Sequence, residues 1–160
     1  MYKVYLRKAG WADVDLLFEW ANDREVRNNS FNTIDIIYDD HKQWFENCML
    51  NKDVDIYICC LDDDSVGQIR LNYNDKNAVI SYSIAKQFRG QGFGRTIIKL
   101  IEAEVVINHL DIMFLSGSVK SENIASQRIF EENGFEKEFA EDGNKYFIYS
   151  KKIVSTNADR

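Results

Sequence analysis

A change of hydrophobic period in the middle of this 160-residue chain limits its fold more than any other feature. Residues 56–61, 66–73 and 78–85 are short runs rich in β-branched and aromatic side chains. They are separated by Asp62-Asp63-Asp64-Ser65 and Asn74-Asp75-Lys76-Asn77, whose side chains compete locally for backbone groups and favour turns. The pattern predicts an antiparallel meander. Directly after it, three glycines open residues 94–109, where Ile97, Leu100, Ile101 and Val105 recur at helical spacing. Strand 112–119, helix 124–133 with Gly134 suited to a left-handed cap, and strands 136–139 and 146–151 about a turn at 141–144 complete this half. The first half reads as a strand over residues 1–7 and a helix capped by Asp13 that carries Val14, Leu17, Phe18 and Ala21. A polar connection, 23–37, leads to a second helix starting at Asp39 or Asp40, with Gln43 placed for a capping box.

The sum is an α+β fold: one mixed central sheet of about six to seven strands with about four helices, containing a strand-helix-strand unit. With no proline and no low-complexity linker, residues 1–154 are expected to form a single domain and 155–160 a flexible tail. A formal charge of −6 opposes nucleic acid and anionic membranes as principal partners. Cys48, Cys59 and Cys60 lack zinc-ligand spacing, and the chain has only two histidines, so neither a metal site nor a disulfide framework is expected. No apolar leader or 18-residue apolar run is visible, and the expected location is the cytoplasm.

The loop Arg89-Gly90-Gln91-Gly92-Phe93-Gly94 carries the chemistry. Backbone N–H groups approach a phosphate where side chains are absent and positive φ is tolerated, and a helix start adds its dipole. A dinucleotide fingerprint requires glycine where Arg95 stands, and a P-loop requires a lysine where Gly94-Arg95-Thr96 has none. The loop resembles the R-x-x-G-x-G/A signature of the GNAT acetyltransferase superfamily. Asn123, with the later Phe130-Glu131-Glu132-Asn133-Gly134-Phe135, is similar to that superfamily's second block, and the likeness runs from Tyr2 to Ile153.

The resemblance implies acetyl-CoA as cofactor, with Ser83, Ile84 and Ala85 meeting its pantetheine arm. It also implies that Arg89, Gln91, Gly92, Phe93, Gly94, Arg95 and Thr96 hold the pyrophosphate, and that Asn123 contacts the same molecule. Direct attack by an amine then builds an oxyanion, for which the Ile84 N–H is the expected donor. Where protein-acetylating relatives place a catalytic tyrosine and a glutamate, this chain has Phe130 and Ser118. Tyr82 and Tyr146 are the candidate replacement donors, and His41 the candidate base.

The acceptor is expected to be a small-molecule amine. Asn22, Arg24, Arg27, Ser30, His41, Trp44 and Arg70 resemble the acceptor-side residues of bacterial nucleotide-sugar N-acetyltransferases; arginines and amides suit a sugar diphosphate, and Trp44 or Phe45 offers a ring for a nucleobase to stack on. Protein or peptide α-amines, aminoglycosides or polyamines, and a non-catalytic acetyl-CoA sensor are the alternatives. A homodimer by final-strand exchange is compatible with the resemblance.

Overall fold

The computed structural model describes residues 1–140 and 145–153. The seven strands are β1 (Val4–Lys8), β2 (Val54–Leu61), β3 (Asp64–Asn74), β4 (Asn77–Ile84), β5 (Phe114–Lys120), β6 (Glu136–Phe139) and β7 (Tyr146–Lys152). They form one sheet in the order β1-β2-β3-β4-β5-β7-β6. Every neighbouring pair is antiparallel except β4 and β5, which are joined by the crossover helix. The described helices are α1 (Val14–Ala21), α2 (Arg24–Asn29), α3 (Tyr38–Leu50), α4 (Phe93–Asn108) and α5 (Ile124–Glu132). The turn expected at 141–144 and the tail at 155–160 lie outside the described residues.

Strand alternation sorts side chains onto two faces. Tyr57, Cys59, Ile69, Leu71, Ala78, Ile80, Leu115 and Tyr149 pack against Ile97, Ile98, Ile101 and Val105 of α4 and Phe130 of α5. On the opposite face Ile56, Ile58 and Cys60 meet Leu17 and Trp20 of α1 and Phe45 of α3. That second core covers only the β1–β2 side of the sheet. Beyond it the same face turns polar, because Ser81 and Ser83 of β4 stand opposite Arg70 and Gln68 of β3.

Phe130 shows how tightly the first core is fitted. Its ring stacks on Tyr149 at 5.4 Å and meets Phe135 edge-on at 5.0 Å, and a Cβ added at Gly117 would lie 2.7 Å from its Cζ. We expect Phe130→Ala to lower stability by about 3 kcal/mol, as truncation of a buried aromatic leaves a cavity. Cofactor affinity should stay within a few-fold at temperatures where the variant is folded; denaturant unfolding and cofactor titration check the two halves separately.

Local expectations fared unevenly. Gly134 takes φ 82° after α5, with the Phe135 N–H returning to the Phe130 carbonyl at 3.0 Å, which is the left-handed cap its position predicts. Asp13 precedes α1 but makes no cap bond to it. Its carboxylate instead accepts both terminal nitrogens of Arg7, each at 2.8 Å, and the Gly10 N–H at 2.7 Å. The Arg7 guanidinium thereby holds the Asp13 carboxyl below its ordinary range. Nor does Gln43 form a capping box, because α3 begins at Tyr38 with Ile37 at its cap. Asp39 and Asp40 sit inside the first turn, where the helix dipole favours them. The segment expected as a polar connection contains α2, started by the Asp23 carboxylate, which accepts the N–H groups of Glu25 and Val26.

Candidate active site

The parallel pairing of β4 with β5 covers only Asn77–Val79 and Phe114–Ser116. Past those residues β4 stays on β3 up to Ile84 and β5 stays on β7 up to Lys120, so the two strands diverge and open a wedge in the sheet. Backbone groups on the inner edge of each strand lose their ladder partner there. Ala85 sends its N–H to the Val66 carbonyl on the β3 side, at 2.8 Å. By alternation the neighbouring Ile84 directs its N–H and carbonyl the other way, into the wedge. Its carbonyl is taken by the Arg89 Nε at 3.0 Å, which leaves the Ile84 N–H facing the gap. Ser83 lies on the polar face, where its hydroxyl accepts from Gln68 Nε2 at 3.2 Å.

The glycine loop sits at the mouth of this wedge. Gly90 and Gly92 take φ of 74° and 87°, and a Cβ at either would meet nothing within 4 Å, so the loop surface is bare. Gly92 is the N-cap of α4 and no side chain caps the helix. The first return bond is Thr96 N–H to the Gly92 carbonyl at 3.2 Å, which leaves the N–H groups of Phe93, Gly94 and Arg95 without intrahelical acceptors. Thr96 Oγ1 donates to that same carbonyl at 3.1 Å, and Gln91 Nε2 to the Gln87 carbonyl at 3.1 Å. Arg95 pairs with Glu132 through Nε at 2.8 Å, tying α4 to α5. A bare loop, unsatisfied donors and an aligned dipole fit a coenzyme diphosphate.

Arg89 faces the protein. One terminal nitrogen lies 2.7 Å from Asp23 and the other 2.7 Å from Glu25, both at the start of α2. Burial alone would raise the Asp23 pKa, but Arg89 and the backbone donors of α2 hold it below the usual carboxylate range. This one side chain therefore ties α2 to the end of β4.

Tyr82 projects from β4 onto the α4–α5 face. Its ring meets that of Phe130 at 6.1 Å and its hydroxyl lies 3.0 Å from Ser126 Oγ. Ser126 is in the first turn of α5, capped by Asn123 Oδ1 at 3.2 Å. Burial pushes the phenol up to about 12, so it stays protonated at neutral pH. Tyr146, on the polar face, packs edge-on to Phe31 at 5.2 Å.

The residues expected to shape an acceptor pocket divide into two groups. Asn22 spends its amide on Ile36, donating to the carbonyl at 2.8 Å and accepting the N–H at 2.7 Å. Arg27 is buried and donates to the carbonyls of Ala21, Asn32 and Ile34, while Ser30 Oγ accepts from Arg27 and donates to the Val26 carbonyl. His41 is 2% exposed, with Nε2 on the Val14 carbonyl at 2.9 Å, and burial lowers its proton affinity. These four build the strap after α1 and its seat on α3, so the base expected at His41 gives way to a packing role. Arg24 is exposed on α2. Trp44 and Arg70 are brought together, the guanidinium carbon 5.2 Å from the ring centroid.

Two contacts had no clear sequence signal. The strap reaches across to β5 and β7, with Lys120 Nζ donating to the Asn28 carbonyl at 2.9 Å and Phe31 lying on Tyr146. A cleft of about 330 Å³ lies between the end of α1 and the end of β4, lined by Glu19, Asn22, Asp23, Ile84 and Arg89 among others.

Among solved structures, a domain from Methanocaldococcus jannaschii superposes with TM-score 0.83 at 20% identity, over 96% of this chain and 100% of that one. Spermidine N-acetyltransferase from Vibrio cholerae, in complex with CoA and spermine, gives 0.78 at 20% identity over 95% of each chain. RimL, a ribosomal L7/L12 α-N-protein acetyltransferase in complex with coenzyme A, gives 0.81 at 18% identity over 95% of each. No curated protein matches the chain. The model of the acetyltransferase (GNAT) domain matches residues 3–136, most of the chain's length. With the wedge between β4 and β5 and the uncapped glycine mouth of α4, that match establishes that the chain belongs to the GNAT acetyltransferase family.

Proposed function

We propose that this acetyl-CoA-dependent N-acetyltransferase acts on the amino group of a nucleotide-activated amino sugar laid on the polar sheet face beneath α2 and α3. The observation that carries the acceptor class is the charge balance around that face. Arg89 is shared by Asp23 and Glu25, two of the three acids of the strap, whereas Lys120 and Arg70 have no carboxylate partner among the described residues. An acceptor with its own negative charge complements that arrangement better than a polycation does.

Acetyl-CoA supplies an activated acetyl thioester. The chain contributes position and a donor: the Ile84 N–H faces the wedge, fixed by the Arg89 bond to the same residue's carbonyl. A rigid N–H in a site closed to water stabilises negative charge developing on an oxygen without reorganising. Tyr82, with Ser126 beside it, is the protonated phenol next to the position where Phe130 removes the family's tyrosine. In this reading it holds the proton for the departing sulfur. Tyr82→Phe is expected to reduce kcat about 100-fold, the usual scale for a lost proton donor, while KM for acetyl-CoA changes little. Rate loss without that separation, or no loss, would remove Tyr82 from the chemistry.

The acceptor reading is tested by thiol release from acetyl-CoA with UDP-amino sugars, α-amino peptides, aminoglycosides and polyamines side by side. The expected result is a kcat/KM for a UDP-amino sugar at least 100-fold above the rest. A second reading, a polycationic amine, draws on the formal charge of −6 and on Glu19 and Asp23 in the cleft beside Ile84. Preference for spermidine or an aminoglycoside would establish it instead.

A further inference from the structure

Among the described residues, Arg70 is the arginine whose surroundings the fold leaves unfinished. Arg7, Arg89 and Arg95 are matched by carboxylates, Arg27 is saturated by carbonyls, and Arg24 and Arg128 are exposed. Arg70 is half-buried on β3, and its one hydrogen bond among the described residues runs from Nε to Asn72 Oδ1 at 3.0 Å. The terminal nitrogens, the forked end that suits a phosphate or carboxylate, have no protein acceptor among the described residues. The guanidinium carbon lies 5.2 Å from the centroid of the Trp44 ring, whose π face favours the cation. Trp44 also meets His41 on its own helix at 5.5 Å and is 39% exposed, so the partly open indole offers the guanidinium a platform. A half-buried cation with no counter-charge among the described residues is better served by an anion than by the water that reaches it.

We infer that Arg70, held by Trp44 and Asn72, is the subsite for a phosphate group of the acceptor, about 10 Å from the amine that is acetylated. The inference rests on the nucleotide-sugar reading above and adds an approximate placement to it. Arg70 stands opposite Ser81 on β4, three residues before Ile84, and at ~3.3 Å per residue that is about 10 Å along the strand from the expected oxygen-stabilising N–H. In a free α-amino acid one carbon separates amine from carboxylate, too little to span this distance. An amine across a hexose ring from an anomeric diphosphate has the required reach. The face between the two points is open and lined by Ser81 and Ser83, which suits sugar hydroxyls.

The test uses full-length protein saturated with coenzyme A, so that added phosphate compounds are kept off the α4 mouth. UDP, inorganic pyrophosphate, uridine and succinate are titrated calorimetrically against wild type, Arg70→Gln and Arg70→Lys. The expected result is that UDP and pyrophosphate bind wild type and that Arg70→Gln weakens both at least 10-fold. Arg70→Lys should fall between, and uridine should show no dependence on residue 70. Unchanged thermal midpoints would show that Arg70→Gln is folded. UDP binding that ignores the substitution, or no binding of UDP or pyrophosphate, overturns the subsite. Succinate bound in preference to both overturns the phosphate assignment in favour of a carboxylate. Turnover distinguishes this from failure of the acceptor reading. If wild type acetylates UDP-amino sugars while Arg70→Gln keeps their KM, the subsite alone is wrong. If wild type ignores UDP-amino sugars and acetylates polyamines, the acceptor reading fails and takes this inference with it.

Discussion

Gly94→Asp and Gly92→Asp should each lower acetyl-CoA affinity by at least 100-fold while leaving a folded protein. A carboxylate at position 92 projects into the open mouth of α4, where it takes the unsatisfied N–H groups for itself and opposes a diphosphate drawn by the dipole. At position 94 the side chain is directed at Ile129 and Tyr82 instead, so the aspartate acts by placing an unpaired negative charge in the first turn and by pushing α5 away from the loop. The two variants also differ in a way that separates charge from strain. Gly92 is at φ 87° with open space around it, so Gly92→Ala costs backbone strain of about 1 kcal/mol without obstruction. Gly94 has ordinary φ, and a Cβ there would lie 2.6 Å from Ile129 Cδ1, the far end of a flexible side chain that can turn aside. Gly94→Ala should therefore lose far less affinity than Gly94→Asp. Equilibrium binding of acetyl-CoA to the four variants, with circular dichroism as a fold control, checks the order; near-normal affinity in Gly94→Asp would mean that the diphosphate is held elsewhere.

The second large effect is expected at Arg89. Its guanidinium joins the Ile84 carbonyl, Asp23 and Glu25, so Arg89→Ala releases the end of β4 and the start of α2 together. Asp23 would keep the Glu25 and Val26 N–H groups but lose its cationic partner, a change worth about 1 kcal/mol of stability for a partly exposed pair. Because the freed carbonyl belongs to the residue whose N–H faces the wedge, kcat should fall on the order of 100-fold and acceptor KM should rise. Acetyl-CoA affinity should change by less than 10-fold, since the α4 donors are untouched. That split between kcat and cofactor affinity distinguishes a positioning residue from a phosphate ligand; a loss confined to acetyl-CoA binding would reverse the assignment. The pair also carries a pH signature. Asp23 has a lower pKa folded than unfolded, so its contribution is fully present above the unfolded value near ~4 and disappears as pH falls through the folded value. Wild type should lose stability in that acidic window more steeply than Asp23→Asn, as acid unfolding followed by fluorescence would report.

Much of this architecture was legible in the order of residues because the signals are local. Alternating apolar residues interrupted by Asp and Asn tetrads define strands by the periodicity of the pleat, and Gly90, Gly92 and Gly94 before Ile97, Ile101 and Val105 announce an uncapped helix start. Such features need only neighbouring residues to make sense, and they carry the resemblance to the acetyltransferase family. The acceptor side was not legible in this way. Asn22, Arg27, Ser30 and His41 look like binding groups in a polar stretch, yet three-dimensional packing turns each one inward to satisfy carbonyls or amides that a short strap cannot satisfy within itself. Arg89 carries the family's signature and is spent on residues 64 and 66 positions away. The sequence by itself determined the elements and the phosphate-binding loop, since both follow from short-range periodicity and backbone freedom. Only the tertiary structure decided which charges remain unpaired, because a side chain's partners are set by which strands and helices come to lie side by side.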